Sequence, residues 1–319
     1  MKLVTLIIPA YNEQDVLYKL YDRLNQVMND IKSRYDCEYL FVNDGSNDNT
    51  MRIIKELRES DNRISYVDLS RNFGKEVAMI AGMDYAKGDA VVIMDADLQH
   101  PPEVIPEMLG YWEQGYEDVY ATRVHREGES WLRRFTSKKY YELLQKTTKM
   151  PIYPNAGDFR LLDRRCVTAI RQMREAHRYT KGMYGWIGFK KKEIEYVASP
   201  RDAGETKWSY LSLFNLAIEG LTSSTTIPLR VSSFLGFGVS FLALFYTIFV
   251  VIQTVIYGSP VSGYPTLVVS ILFLGGIQLI SIGIIGEYLG RIFIETKKRP
   301  LYFIEEYNDE KILPYQQEQ

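Results

Sequence analysis

Two carboxylates one residue apart, Asp95 and Asp97, close a short apolar run, and Gln99 follows at the same spacing. Oxygen ligands so arranged suit a hard divalent cation, Mg2+ or Mn2+, and Gln99 can add a neutral carbonyl oxygen. An ion held there neutralises a nucleotide diphosphate, so that ligand class is the expectation. Alone an Asp-x-Asp pair is a weak signal, because acidic residues at loop starts are commonly solvated or capping. Two other polar clusters strengthen it: Pro9-Ala10-Tyr11-Asn12-Glu13 and Asn43-Asp44-Gly45-Ser46-Asn47-Asp48. A carboxylate such as Asp44 or Asp48 at a strand end can accept hydrogen bonds from a base or ribose. Asp48 equally suits an N-cap of the helix that follows it.

Each cluster must be held in place by the element before it. Val4 to Ile8, Tyr39 to Val42, Ile64 to Val67 and Ala90 to Met94 are predicted strands, alternating with helices over Gln14 to Lys32, Asp48 to Glu59 and Lys75 to Ala86. Alternation of this kind predicts an α/β, Rossmann-like domain, a mainly parallel sheet covered on both faces. Ligands on such sheets bind beyond the carboxyl ends of the strands. The three clusters end the first, second and fourth strands, so one site at one sheet edge is expected.

The chain has 319 residues and a net charge of -2, with a pI near 6.1. That balance gives no global basic field and makes nucleic acid a poor partner. Cys37 and Cys166 stand far apart with no Cys or His at ligand spacing, which predicts buried free thiols. His100, His125 and His177 are too scattered for a metal or catalytic cluster. A mean hydropathy of -0.19 conceals a sharp division, since Val231 to Gly286 contains no charged residue. That length holds two spans of about 20 residues, broken by the Gly- and Pro-rich turn from Gly258 to Pro265. A transmembrane hairpin is predicted, with helices at 230–257 and 266–291. Arg230 flanks the first span and Arg291, Lys297, Lys298 and Arg299 the second, while the turn has neither Lys nor Arg. By the positive-inside rule both ends are cytoplasmic, in an inner or plasma membrane. Glu287 lies one turn before Arg291 and is expected to contact it.

The run Asp95-Ala96-Asp97-Leu98-Gln99-His100-Pro101-Pro102-Glu103 resembles, almost letter for letter, a signature of family 2 glycosyltransferases of GT-A fold. The resemblance is to the polyprenyl-phosphate sugar synthases related to dolichol-phosphate mannose synthase and to bacterial undecaprenyl-phosphate glucosyltransferases. Pro9 to Glu13 and Val42 to Ser46 are similar to its nucleotide-binding segments, with Asn43 where many relatives carry a second Asp. It covers residues 1–208 and, more loosely, the two-span tail. It implies a catalytic domain at 1–208, an amphipathic segment at 209–229, the spans at 230–291 and a cytosolic tail at 292–319.

The resemblance also implies roles. Pro9, Tyr11, Glu13 and Asp44 would surround the nucleoside, and Asp95, Asp97 and Gln99 the metal. Arg123, Arg133 and Ser137 would meet the lipid phosphate, Arg201 and Lys207 would close over the diphosphate, and Asp158 would stand near the acceptor. The expected reaction is inverting transfer of a hexose, UDP-glucose first, to a polyprenyl phosphate, undecaprenyl phosphate first. A homo-oligomer, as a tetramer, is implied by similarity alone. The residues agree on the acceptor: from Arg123 to Lys149 eight Lys or Arg stand against three Glu, interleaved with Trp131, Phe135, Tyr140 and Tyr141. Such a stretch suits an anionic headgroup at a membrane surface. Residues 209–226 carry an apolar face that fits either the membrane interface or packing under the domain. A processive polysaccharide synthase would carry Gln-x-x-Arg-Trp, and no Arg-Trp pair occurs. A non-catalytic nucleotide-sugar sensor is the remaining alternative.

Overall fold

The four apolar runs become four parallel strands, β1 (Lys2–Ala10), β2 (Tyr35–Asn43), β3 (Ile64–Leu69) and β4 (Ala90–Ile93), paired in the order β3-β2-β1-β4. Side chains alternate across the sheet, so Val4, Leu6 and Ile8 enter one hydrophobic core and Ile7 a second on the opposite face. Helices α1 (Leu17–Ile31) and α2 (Thr50–Ser60) fill the first core with Leu20, Leu24, Ile54 and Leu57. Helix α3 (Lys75–Tyr85) fills the second with Met79, Ile80 and Met83. A Cβ at Gly82 would stand 2.4 Å from Ile7 Cγ2, so only glycine lets α3 lie this close to β1. That contact fixes the amino end of α3 at the carboxyl edge of the sheet.

The structure is a computed structural model that describes residues 1–124, 145, 153, 156–176, 178–197, 227–257 and 263–312. Beyond β4 come α4 (Ile105–Glu113), β5 (Asp118–Arg123), β6 (Ala156–Asp163), α5 (Arg164–Arg171), α6 (Thr180–Trp186) and β7 (Lys191–Tyr196). Strand β6 runs antiparallel to both β4 and β5, and β7 runs parallel to β5. The full order is β7-β5-β6-β4-β1-β2-β3-β8-β9. A mainly parallel sheet was expected, and a mixed sheet of nine strands is found. Strands such as Lys-Lys-Glu-Ile-Glu-Tyr at β7 lie at the sheet margin with a charged outer face, so no apolar run announces them. Buried Asp118 ties the three strands β5, β6 and β7 together: Arg160 Nη1 lies 3.2 Å from both its oxygens and Lys191 Nζ 2.5 Å from Oδ2. The Arg160 guanidinium also sits 3.4 Å from the Tyr184 ring centroid.

The chain divides into two units, Met1–Tyr210 with Pro300–Gln319, and Leu211–Arg299. The carboxyl-terminal segment therefore rejoins the first unit. Strand β8 (Ile304–Tyr307) pairs antiparallel with β3, and β9 (Glu310–Lys311) pairs with β8. Polar contacts hold it: Lys55 Nζ lies 2.7 Å from Glu306, and the Tyr66 hydroxyl, with one proton to give, meets both Asp309 at 2.8 Å and Glu306. Tyr302 donates to Asp84 at 2.7 Å, and Ile304 is 3% exposed.

The second unit contains α7 (Ile227–Tyr257, 31 residues) and α8 (Tyr264–Thr296, 33 residues), which contact each other. Among the described residues one stretch, Phe273–Thr296, is long and apolar enough to cross a membrane, and Val231–Tyr246 is a shorter apolar stretch. The expected Glu287 contact is present, with Arg291 Nη2 at 3.0 Å. The segment 209–226, the turn at 258–262, His125 and His177 lie outside the described residues.

Because Ile304 seals the core beneath β3, Ile304→Ala should destabilise the first unit by roughly 2–5 kcal/mol. Denaturant unfolding of the full-length protein measures this, and an unchanged midpoint would mean that the tail does not dock.

Candidate active site

The ends of β1 and β2 are stitched into one rim. Asn12, at φ 55°, gives its N–H to Ser46 Oγ (3.0 Å) and accepts the Asn47 N–H on Oδ1 (2.9 Å). The Glu13 N–H donates to Thr50 Oγ1 at 2.8 Å. Asp48 accepts the Thr50 N–H at 2.9 Å and the Gln14 N–H at 3.3 Å. Burial opposes its charge, yet hydrogen bonds from Thr50 and Gln14 hold its carboxyl below the usual range. Asp48 thus ties the start of α2 to the β1 rim, although the N-cap itself is Asn49 and not Asp48 as the sequence suggested. Pro9 and Glu13 are half-buried in this rim, whereas Tyr11 is 43% exposed.

Asp44 sits deeper, at 3% exposure. Its Oδ1 accepts the Phe73 N–H at 2.7 Å and its Oδ2 the Gly74 N–H at 2.9 Å. Burial raises its carboxyl above the ordinary range despite these two bonds. Asp44 was expected at the nucleoside; here its carboxylate braces the loop that leads into α3. The next residue, Gly45, has φ 63°, and a Cβ there would lie 2.4 Å from the Arg71 carbonyl carbon. Only glycine permits both that conformation and that approach. Asn43 donates to Asp68 at 2.7 Å, so a second Asp at this position would face another carboxylate.

The braced loop delivers Lys75, the first residue of α3, to the two acidic strand ends. Its Nζ lies 2.6 Å from Asp95 Oδ1 after β4 and 2.8 Å from Asp158 Oδ2 on β6. Burial works against the ammonium, but Asp95 and then Asp158 more than offset it and hold Lys75 above the ordinary lysine range. Burial likewise favours neutral Asp158, but Lys75, and to a smaller extent Lys181 and Arg160, keep it below the usual carboxylate range. Asp158 Oδ1 is buried and has no hydrogen-bond partner among the described residues. Glu76, beside Lys75, accepts the Thr180 N–H at 3.2 Å. Burial, then the charge of Asp158, push its carboxyl up to about 7.

His100 supports the same corner. Its Nδ1 accepts the Asp95 N–H at 3.0 Å, and its ring stacks on Phe159 at 4.9 Å and 13°. Burial lowers its pKa, as a neutral accepting nitrogen requires. Asp97 Oδ1 accepts the Gln99 N–H at 3.1 Å, and Leu98 between them has φ 61°.

Among the described residues no three His, Cys, Asp or Glu side chains converge on one point. The donor set nevertheless fits a hard cation that keeps water and phosphate ligands of its own. Asp95 and Asp97 offer carboxylates from one turn, Gln99 an amide oxygen, and a cation, the Lys75 ammonium, already rests on Asp95. Arg123 ends β5 with its Nε buried and without a hydrogen-bond partner among the described residues, a donor suited to an anion. Arg133, Ser137, Arg201 and Lys207 lie outside the described residues. Sequence reasoning missed Lys75 and Glu76, which stand in Asn72-Phe73-Gly74-Lys75-Glu76. The signal available was a charged pair opening a helix at the carboxyl end of the third strand.

Residues 5–170 match Glycosyl transferase family 2. An uncharacterised glycosyltransferase of Synechocystis is 47% identical over 301 residues, which cover 94% of each chain. A prophage bactoprenol glucosyl transferase homolog of Escherichia coli is 44% identical, covering 94% of this chain and 98% of its own. The bactoprenol glucosyl transferase of Shigella phage SfV is 43% identical, with 94% and 97% covered. With a site gathered at the carboxyl edge of an α/β sheet of GT-A type, and relatives aligned over nearly their whole length, this chain belongs to glycosyltransferase family 2.

Proposed function

We propose that the chain transfers a hexose, with UDP-glucose as first donor, to a polyprenyl phosphate, with undecaprenyl phosphate as first acceptor, inverting the anomeric carbon. The observation that carries this is the junction of Asp95 and Asp158 on one lysine, in a chain similar end to end to bactoprenol glucosyl transferases. Pro9, Tyr11, Glu13 and Asp44 form or brace the nucleoside rim. Asp95, Asp97 and Gln99 would hold Mg2+ or Mn2+, whose chemistry is to stabilise the departing diphosphate. Arg201 and Lys207 close over that diphosphate, and Arg123, Arg133 and Ser137 receive the acceptor phosphate.

A phosphate monoester is already ionised near neutral pH, so its oxygen attacks without strong base catalysis. The environment of Asp158 supports the same view. An ammonium at 2.8 Å makes it a poor base, and its role is to orient the acceptor. The main contributions of the protein are positioning two anions and offsetting their charge.

The relatives' acceptor is a lipid, and α7 and α8 suit two membrane spans. At about 1.5 Å per residue, helices of 31 and 33 residues exceed the roughly 30 Å hydrocarbon core. Phe234, Phe237 and Tyr257 are at least 77% exposed, and Leu279 is 71% exposed, which is surface that needs lipid or a partner. Strand β8 follows these helices yet pairs with β3, which precedes them. That pairing supports an even number of crossings, because a single one would part the two strands. The flanking cations support a cytoplasmic first unit and cytoplasmic termini.

Asp97→Ala should reduce transfer of glucose from UDP-glucose to undecaprenyl phosphate at least about 100-fold, while the melting temperature stays the same; substantial residual transfer would contradict the metal assignment. Arg133→Ala should raise the KM for the lipid phosphate and leave that for the UDP-sugar nearly unchanged, whereas equal losses on both would misplace it. In a variant without native cysteines, Ser262→Cys should react with an impermeant maleimide only from outside intact cells. Reaction from the side of a Ser60→Cys control would rule out two crossings.

A further inference from the structure

Lys75 stands at 43% exposure between two carboxylates that are 26% and 15% exposed. It is therefore an accessible cation on less accessible anions. One of them, Asp95, belongs to the acidic turn after β4; the other, Asp158, lies across the site on β6. The lysine is held in register from behind, because Asp44 takes the N–H groups of Phe73 and Gly74 and the close contact at Gly82 seats α3 on β1. His100 fixes the opposite side through the Asp95 N–H. A rigidly placed ammonium on a carboxylate that also suits a divalent cation creates a competition, since the two cations repel each other and need the same oxygens.

We propose that Lys75 is a resident counter-ion, a positioning residue that a divalent cation must displace from Asp95, so that the metal binds well only together with the nucleotide diphosphate. This rests on the metal site proposed above. Charge counting gives the physical reason. Beside the metal site Asp95 and Asp97 carry two negative charges and Lys75 one positive, and Asp158 adds a third negative charge that Lys181 and Arg160 partly offset. A divalent cation alone must compete with the ammonium for Asp95. A cation arriving with a diphosphate brings anionic oxygens that receive the displaced ammonium. Lys75 keeps its bond to Asp158, so occupation of the donor side is transmitted to the carboxylate on the acceptor side. The arrangement favours loading of the complete metal and nucleotide pair and disfavours an idle metal.

The test is Mn2+ binding to the full-length protein in detergent, read from the electron paramagnetic resonance signal of free Mn2+ with and without UDP. Wild type should bind Mn2+ at least ten-fold more tightly with UDP than without it. Lys75→Gln should bind Mn2+ alone at least ten-fold more tightly than wild type, with most of the UDP dependence gone, and Lys75→Arg should restore that dependence. A folded Lys75→Gln protein with wild-type affinity for Mn2+ alone would overturn the proposal. Should that variant fail to fold, Asp158→Asn gives the opposite reading. The ammonium, deprived of its second anchor, settles on Asp95, and Mn2+ alone binds several-fold more weakly; an unchanged affinity would overturn the proposal too. In the Lys75→Gln background Asp158→Asn should have little effect, and an undiminished loss there would mean through-space charge rather than exchange. If wild type bound no Mn2+ even with UDP, the metal assignment itself would fall, and this proposal with it.

Discussion

Like charges gathered at one sheet edge repel, and the site exists because the fold supplies a cation between them. Asp95 and Asp158 come from strands of opposite direction, β4 and β6, and Lys75 bridges them at 2.6 and 2.8 Å. Much of the surrounding structure serves that one placement. Asp44 uses its carboxylate on the loop before Lys75, Gly45 lets that loop come within van der Waals contact, and Gly82 lets α3 rest on Ile7. On the other side Asp118, Arg160 and Lys191 lock β5, β6 and β7 together and so hold the strand that presents Asp158.

The parallel half of the sheet was legible in the sequence because its strands are buried on both faces. Ala90 to Met94 is a continuous apolar run and Val4 to Ile8 is broken only by Thr5, and the strands found there span Lys2–Ala10 and Ala90–Ile93. The antiparallel half was not. Strand β8 reads Ile-Glu-Glu-Tyr, with one residue in the core, and it becomes a strand through its partner β3 and the ion pair with Lys55 rather than through its own pattern. Tertiary pairing decides such segments, and local periodicity carries no trace of it.

The site shows the same division. Asp95, Asp97 and Asp158 were named from their motifs, and the structure sets Asp95 and Asp158 on one ammonium. Lys75 itself was passed over, since a lysine at a helix start looks like a solvated residue until a strand from the far side of the sheet comes to meet it. Asp44 was read as a ligand because polar residues at strand ends often are; its burial and its two N–H partners add a bracing role that the sequence did not announce. Asp48, one residue before the N-cap Asn49, spends its carboxylate on the Thr50 and Gln14 N–H groups. Whether a carboxylate serves the ligand or the chain depends on neighbours remote in sequence.

The central claim is that this acidic corner passes a hexose to a lipid phosphate while a cation steadies the departing diphosphate. Purified protein given UDP-glucose, undecaprenyl phosphate and Mn2+ tests it most directly, with UDP and the lipid product quantified together by mass spectrometry. The account predicts one undecaprenyl phosphate glucose for each UDP released, with inverted anomeric configuration and no product after chelation. Free glucose with no glycolipid, or undiminished synthesis in the presence of chelator, would contradict it.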